Sequence, residues 1–175
     1  MYRFLLMILM GSCSSGSSSE VVTEFYNRAR QHESELSILF NVSFTARGVK
    51  NEKPFIPRLE ISLSENETIT LPGIDKNMTD EEIKNMPFYE NIEKYSKKVG
   101  ISDSTAYQEV KNYCIRIIEL AHRLEVYKVQ STPRLGKFII FTLTADKQVI
   151  YVPDVSEVRN DYWIDFFKSG KKLEN

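Results

Sequence analysis

The feature of this sequence that most constrains its fold is an apolar stripe of helical period near the middle of the chain. Between residues 106 and 124 the apolar side chains recur at steps of three and four, at Ala106, Tyr107, Val110, Tyr113, Cys114, Ile117, Ile118, Ala121 and Leu124. Four short polar residues, 102–105, precede the stripe as possible N-caps. This pattern predicts a long amphipathic helix whose apolar side must be covered by other elements.

Segments of period two lie on both sides of this helix. They cover residues 36–45, 58–63 and 68–71 before it, and 125–130, 137–144 and 148–152 after it. Alternating apolar and polar side chains are typical of strands that bury one face. The run Phe138-Ile139-Ile140-Phe141 has no such alternation and predicts a strand buried on both faces.

Shorter helical patterns complete the predicted element order. They lie at residues 20–33, after Thr79, before Gly100 and at 156–167, and Thr79 with Glu82 forms a capping-box motif. The predicted fold class is α+β: an antiparallel sheet, in the order α-βββ-ααα-βββ-α, packed on one long amphipathic helix. Residues 20–175 are predicted to form a single domain, and the two groups of three strands hint at pseudo-symmetry.

Composition excludes several classes of protein. The chain has 175 residues, 42% hydrophobic and 27% charged, which is ordinary for one globular domain. The net charge is −1, whereas a dedicated nucleic-acid-binding protein needs an excess of positive charge. Two cysteines are too few for the disulfide framework of a small secreted domain.

The N-terminal segment has the composition of a targeting signal followed by a linker. Arg3 precedes a short apolar run at residues 4–10, which is far too short to span a bilayer as a helix. Gly11 and Ser12 then precede Cys13, and residues 14–19 contain only Ser and Gly, the composition of a flexible linker.

The segment Leu9-Met10-Gly11-Ser12-Cys13 resembles the lipobox of bacterial lipoproteins. The resemblance implies that residues 1–12 are a signal peptide, that Cys13 carries acyl chains such as palmitate, and that residues 13–19 tether the domain to a membrane. Ser14 stands where an aspartate is associated with inner-membrane retention, so the resemblance favours the outer membrane. Two alternatives stay open: Cys13 is an incidental residue of a secretory leader, or the segment is a cytoplasmic N-terminus.

The sequence predicts no catalytic, cofactor-binding or metal-ligating residue. Glu119 and His122 have the Glu-x-x-His spacing of carboxylate-bridged metal sites, but such sites need two copies, and the chain has two His in all. We therefore interpret this pair as the solvated flank of the long helix. Cys114 lies in the apolar stripe, where a buried and unreactive thiol is expected.

Four residues are predicted to contact a partner or ligand. Arg134 lies in the loop 131–136 between a rigid Pro133 and a flexible Gly136. Tyr151, Tyr162 and Trp163 belong to an aromatic cluster that also includes Phe166 and Phe167, and amphipathic aromatic side chains often line binding grooves. The alternatives are an ordinary loop between strands and an aromatic completion of the core.

These observations favour a membrane-anchored envelope lipoprotein that acts as a non-enzymatic binding or accessory module. Its expected partners are the membrane, through the lipid on Cys13, and an envelope protein or a glycan, but no nucleic acid. One alternative is an anchored hydrolase whose site is assembled from carboxylates distant in sequence. Another is an immunity or exclusion lipoprotein.

Overall fold

The computed structural model describes residues 18–168 of the chain, apart from residues 51, 102 and 146. Cys13, with the rest of the predicted leader, lies outside the described residues. The helices, in chain order, are α1 (Ser18–Gln31), a 3₁₀ helix (Glu33–Leu39), α2 (Asp80–Lys84), α3 (Asn91–Lys98), α4 (Ala106–Leu124), a 3₁₀ turn (Val155–Glu157) and α5 (Asp161–Lys168). The strands are β1 (Val42–Thr45), β2 (Val49–Lys50), β3 (Lys53–Pro54), β4 (Arg58–Ser62), β5 (Thr68–Pro72), β6 (Lys128–Gln130), β7 (Ile139–Thr144) and β8 (Lys147–Tyr151).

Six of these strands form one antiparallel sheet in the order β5-β4-β1-β6-β7-β8. In each half of the sheet the strands follow chain order from the centre outward, β1-β4-β5 on one side and β6-β7-β8 on the other. The halves meet where β1 pairs with β6, with Phe44 opposite Val129 and Thr45 opposite Lys128. The arrangement confirms the α+β class and gives the two groups of strands an approximate two-fold relation.

The main core lies between the inner face of the sheet and the helices α1 and α4. The predicted stripe of α4 is buried along its length, including Val110, Ile117 and Leu124. Helix α1 packs on β7 through Phe25 and Phe141, whose ring centroids are 5.0 Å apart. Burial of this apolar area is the main stabilising term, at roughly 25 cal/mol per Å² removed from water.

A second, smaller core lies on the outer face of β7 and β8, beneath α5. Its buried residues are Phe138, Ile140, Ile150, Val152, Val158 and Phe167. Ile139 and Phe141 belong to the main core on the other face, so the prediction that residues 138–141 are buried on both sides is confirmed. Because α5 covers only β7 and β8, the outer face of β5, β4, β1 and β6 is left uncovered by any described element.

The predicted strand over residues 36–45 is wrong in its first half. Glu33–Leu39 is a 3₁₀ helix, and only Val42–Thr45 is extended. The apolar positions in this segment also satisfy a period of three, and the structure buries Leu36 and Leu39. Asn41, with a φ of 64°, separates the two conformations.

One feature of the first half was not predicted from the alternation of apolar and polar residues, and one predicted feature is confirmed. The strands β2 and β3 form a separate two-stranded hairpin between β1 and β4, with Val49 opposite Pro54. The capping box that opens α2 is confirmed: the Thr79 side chain accepts from the backbone N–H of Glu82, and the Glu82 carboxylate accepts from that of Thr79.

Candidate functional site

Two of the four predicted contact residues, Tyr162 and Trp163, lie side by side in α5, with their ring centroids 5.3 Å apart. Trp163 packs on the second, smaller core, and its ring centroid is 5.5 Å from that of Phe138. The neighbouring Tyr162 is 63% exposed. Arg134 is exposed and precedes Leu135, which packs on the same core. Tyr151 is placed elsewhere: it is only 4% exposed, and its ring stacks on Phe40 in the main core, on the opposite face of the sheet. Its burial leaves almost no surface for contact with a partner.

The loop that carries Arg134 is held at both ends. The buried hydroxyl of Ser131 donates to the carbonyl oxygen of Phe138 at 2.8 Å and accepts from the backbone N–H of Asn41 at 3.1 Å. At the other end Gly136 bridges to Val158. The loop is therefore a fixed connection rather than a hinge.

The uncovered outer face carries a groove that spans β4, β1 and β6, which we call the sheet-face groove. Its volume is about 260 Å³. It is lined by Ser43, Phe44, Thr45, Arg47, Pro57, Arg58, Glu60, Lys128, Val129 and Gln130. The register explains the grouping, since Ser43 lies opposite Glu60, Thr45 lies opposite Lys128, and alternate residues of one strand share a face.

The sheet-face groove contains more positive than negative charge. Its three cations are Arg47, Arg58 and Lys128, and Glu60 is its single carboxylate. Arg58 pairs with Glu60 at 3.3 Å. Arg47 and Lys128 form no ion pair with any carboxylate among the described residues.

These three cations are not recognisable as a group from the sequence. They come from three separate parts of the chain: Arg47 follows β1, Arg58 is in β4 and Lys128 is in β6. They approach one another only when the sheet is assembled. Alternation of apolar and polar residues identifies which side chains of a strand face outward. It does not identify which strands lie beside that strand in the sheet.

A second groove lies between the C-terminal half of α4 and the β2–β3 hairpin. Its volume is about 250 Å³. The His122 ring is half-buried there, and its Nε2 donates to the carbonyl oxygen of Pro54 at 3.0 Å. Glu119 instead pairs with Lys76 at 3.1 Å. The Glu-x-x-His pair of the sequence therefore has two separate structural roles, one of which attaches the hairpin to α4.

Of the carboxyl groups that the structure describes, six have a pKa below the ordinary value, each because of a neighbouring hydrogen-bond donor. The donor with the largest effect is His32 for Glu35, Lys111 for Asp80, Thr79 for Glu82, Lys97 for Glu93, Thr105 for Asp103 and Ser156 for Asp154. These donors are parts of helix caps, turns and surface ion pairs. A general acid working near neutral pH needs the opposite shift, so these six groups have structural roles.

The thiol of Cys114 is also structural. The residue is fully buried in α4, and burial raises its pKa to about 12. A thiol in this state is a weak nucleophile because the thiolate is the reactive form.

Metal ligands and membrane spans are also absent from the described part of the chain. Between residues 18 and 168 no group of three or more His, Cys, Asp or Glu side chains is arranged to hold a metal ion. Among the described helices, none has both the length and the apolar character needed to cross a membrane.

No protein-family model matches this chain, and comparisons with curated proteins and with solved structures give no significant match. The sequence and the geometry of the sheet-face groove are therefore the available indications of function.

Proposed function

We propose that this protein is a lipid-anchored binding protein of the bacterial cell envelope, attached through Cys13 to the outer membrane. The proposal combines the lipobox-like segment that ends at Cys13 with a binding surface on the domain. The observation that carries the binding role is the sheet-face groove, where Arg47 and Lys128 have no ionic partner among the described residues.

The start of the domain supports the anchoring role. Helix α1 begins at Ser18, five positions after Cys13. At roughly 3.3–3.6 Å per residue, a chain of this length spans at most about 18 Å. A lipid on Cys13 would therefore hold α1 close to the membrane surface, where several acyl chains bind stably and one alone binds marginally.

A binding role also agrees with the charges of the groove. Two cations that have no ionic partner within the described part of the chain favour an anionic ligand, because ionised donors and acceptors make stronger hydrogen bonds than neutral ones. Holding such a module at a membrane raises its effective concentration toward other envelope components.

The anchor is tested by fatty-acid labelling of the full chain in a bacterial host, followed by fractionation of the membranes. We expect wild type to be labelled and to sediment with the outer membrane, and Cys13→Ala to lose both properties. Cys114→Ala is the matched control, since it also removes one cysteine but leaves the leader intact, and it should be labelled like wild type. Unlabelled wild type, or a label that survives Cys13→Ala, would refute the anchoring proposal.

A further inference from the structure

We propose that the sheet-face groove binds an acidic glycan, a polymer of sugars that carry carboxylates, on the side of the domain that faces away from the anchoring membrane. This inference rests on the proposed function and deepens it, because it names the ligand class of the same groove. Three observations carry it: the charges, the polar groups between them, and the position of the groove relative to α1.

The positive charges lie in a row across the strands. Lys128 on β6 pairs with Thr45 on β1, and Arg58 lies on β4, the next strand along. Adjacent strands are about 4.8 Å apart, so the backbones at Arg58 and Lys128 are separated by roughly 10 Å. Arg47 lies at the end of the same groove, just beyond β1. Separated cations fit a ligand with several anionic groups better than a single small anion.

Neutral hydrogen-bonding groups lie between the cations. Thr45 is exposed in the groove, and Gln130 and Ser43 are half-buried beside it. The Thr45 hydroxyl and the Gln130 amide each offer both a donor and an acceptor. Sugar hydroxyl groups have the same two capacities, so a glycan can use the cations and the groups between them at once.

The groove offers little to the apolar side chains of a protein partner. Phe44 and Val129 contribute to its lining, but their side chains are buried in the main core on the inner face. Protein interfaces depend on a few large apolar or aromatic anchors at their centre. Of the described groove residues, Pro57 alone is both apolar and partly exposed. These features favour a glycan over an acidic peptide.

The direction of α1 places the groove away from the anchor. Near the C-terminal end of α1, Arg28 pairs with Glu125 at 3.3 Å. Glu125 directly follows α4 and lies shortly before β6. This is the end of the sheet where His122 of α4 contacts Pro54 of the β2–β3 hairpin. One turn earlier, Phe25 contacts Phe141 in the middle of β7. Helix α1 therefore runs back from the hairpin end toward Ser18, about 15 Å from Arg28 at 1.5 Å per residue. The groove lies at the hairpin end, with Arg47 beside β2.

The test measures binding of the full chain, held in neutral detergent micelles, to four probes. The probes are polygalacturonate as the acidic glycan, dextran as the neutral glycan, polyglutamate of matched charge density, and vesicles containing phosphatidylglycerol. The groove variant is Arg47→Gln/Lys128→Gln. The matched control is Arg116→Gln/Lys84→Gln, which removes the same charges from exposed positions on α4 and α2. Circular dichroism and thermal unfolding check that both variants fold.

We expect polygalacturonate to bind wild type more tightly than the other three probes. The groove variant should bind it about tenfold more weakly, with a smaller salt dependence, while the control pair should bind like wild type. The inference is overturned by an absence of polygalacturonate binding or by an equal loss in both double variants. It is also overturned by tighter binding of polyglutamate, or by binding to vesicles that depends on Arg47 and Lys128. Since the assay needs no lipid on Cys13, its failure is distinct from a failure of the labelling experiment.

Discussion

Gly136 occupies a position that a residue with a side chain cannot occupy without a shift of the backbone. Its φ is 100°, a conformation that strongly favours glycine. A Cβ at this position would clash with the carbonyl oxygen of Glu157 and would lie 2.7 Å from the Cα of Val158. Both atoms belong to the backbone, so no rotamer change can relieve the contact. The glycine therefore fixes the loop of Arg134 against the segment that leads into α5.

The Gly136→Ala substitution should destabilise the protein by about 2–4 kcal/mol, because it combines a left-handed backbone with a steric clash. Gly48→Ala is the control: its φ is 77°, but a Cβ there meets nothing within 4 Å. It should cost about 1 kcal/mol, from the backbone conformation alone. Urea unfolding of the two variants measures the difference. Equal losses would show that the contact at Gly136 relaxes freely.

At the scale of elements, the 3₁₀ helix is joined to α4 by a small group of charged side chains. The Glu35 carboxylate accepts from Nδ1 of His32 at 2.9 Å and from the guanidinium of Arg123 at 2.6 Å. The His32 ring, and then Arg123, hold the pKa of Glu35 below its ordinary value. Ionised Glu35 therefore stabilises the contact between these two elements.

This contact should weaken in acid. Because the pKa of Glu35 is lowered on folding, its contribution is fully present above the unfolded value of about 4.5 and is lost as the pH falls through the folded value. We expect Glu35→Gln to lower the free energy of unfolding at pH 7 by less than about 1 kcal/mol, since the site is exposed. The difference from wild type, measured by chemical denaturation, should shrink progressively as the pH falls below about 4.5.

Glu33→Gln is a suitable comparison, because Glu33 lies in the same 3₁₀ helix and forms no ion pair with a described residue. It should change neither the stability at pH 7 nor its pH dependence. A constant difference between Glu35→Gln and wild type across the pH range would contradict the assigned role of the carboxylate.

How much could be predicted from sequence differs between elements for physical reasons. The stripe of α4 and the capping box at Thr79 are set by local periodicity and local hydrogen bonds, and both predictions were confirmed. In residues 36–39 two periods fit the same apolar positions, and packing chose the 3₁₀ helix. The partner of each strand depends on contacts distant in sequence. For that reason neither the sheet-face groove nor the burial of Tyr151 followed from the sequence.

At the scale of the whole molecule, Cys114 reports on the integrity of the fold. It is fully buried in the helix that covers the sheet, so reagents reach it only when α4 separates from the core. The chain has two cysteines, and Cys13→Ala leaves Cys114 as the only one.

A thiol reagent added to Cys13→Ala should therefore modify Cys114 at a rate limited by unfolding, and within seconds in strong denaturant. The measurement is the time course of modification, compared with the unfolding rate from fluorescence. Rapid modification under native conditions would contradict the packing of α4 described here. It would also show that reagents reach the Cys114 thiol in the folded protein, although the thiol is buried and its pKa is raised to about 12.

The pairing of β1 with β6 has a consequence for how the chain acquires its structure. Thr45 must meet Lys128, which follows it only after the hairpin, β4, β5 and the three middle helices. Closing so long a loop costs conformational entropy before the stabilising contacts between β1 and β6 can form. Proteins whose strands pair with partners distant in sequence therefore fold slowly. A chain that becomes available from its N-terminus, as during synthesis, can form β4 and β5 early. Strand β1 then keeps Phe44 and Thr45 unpaired on its β6 side until almost three quarters of the sequence has appeared.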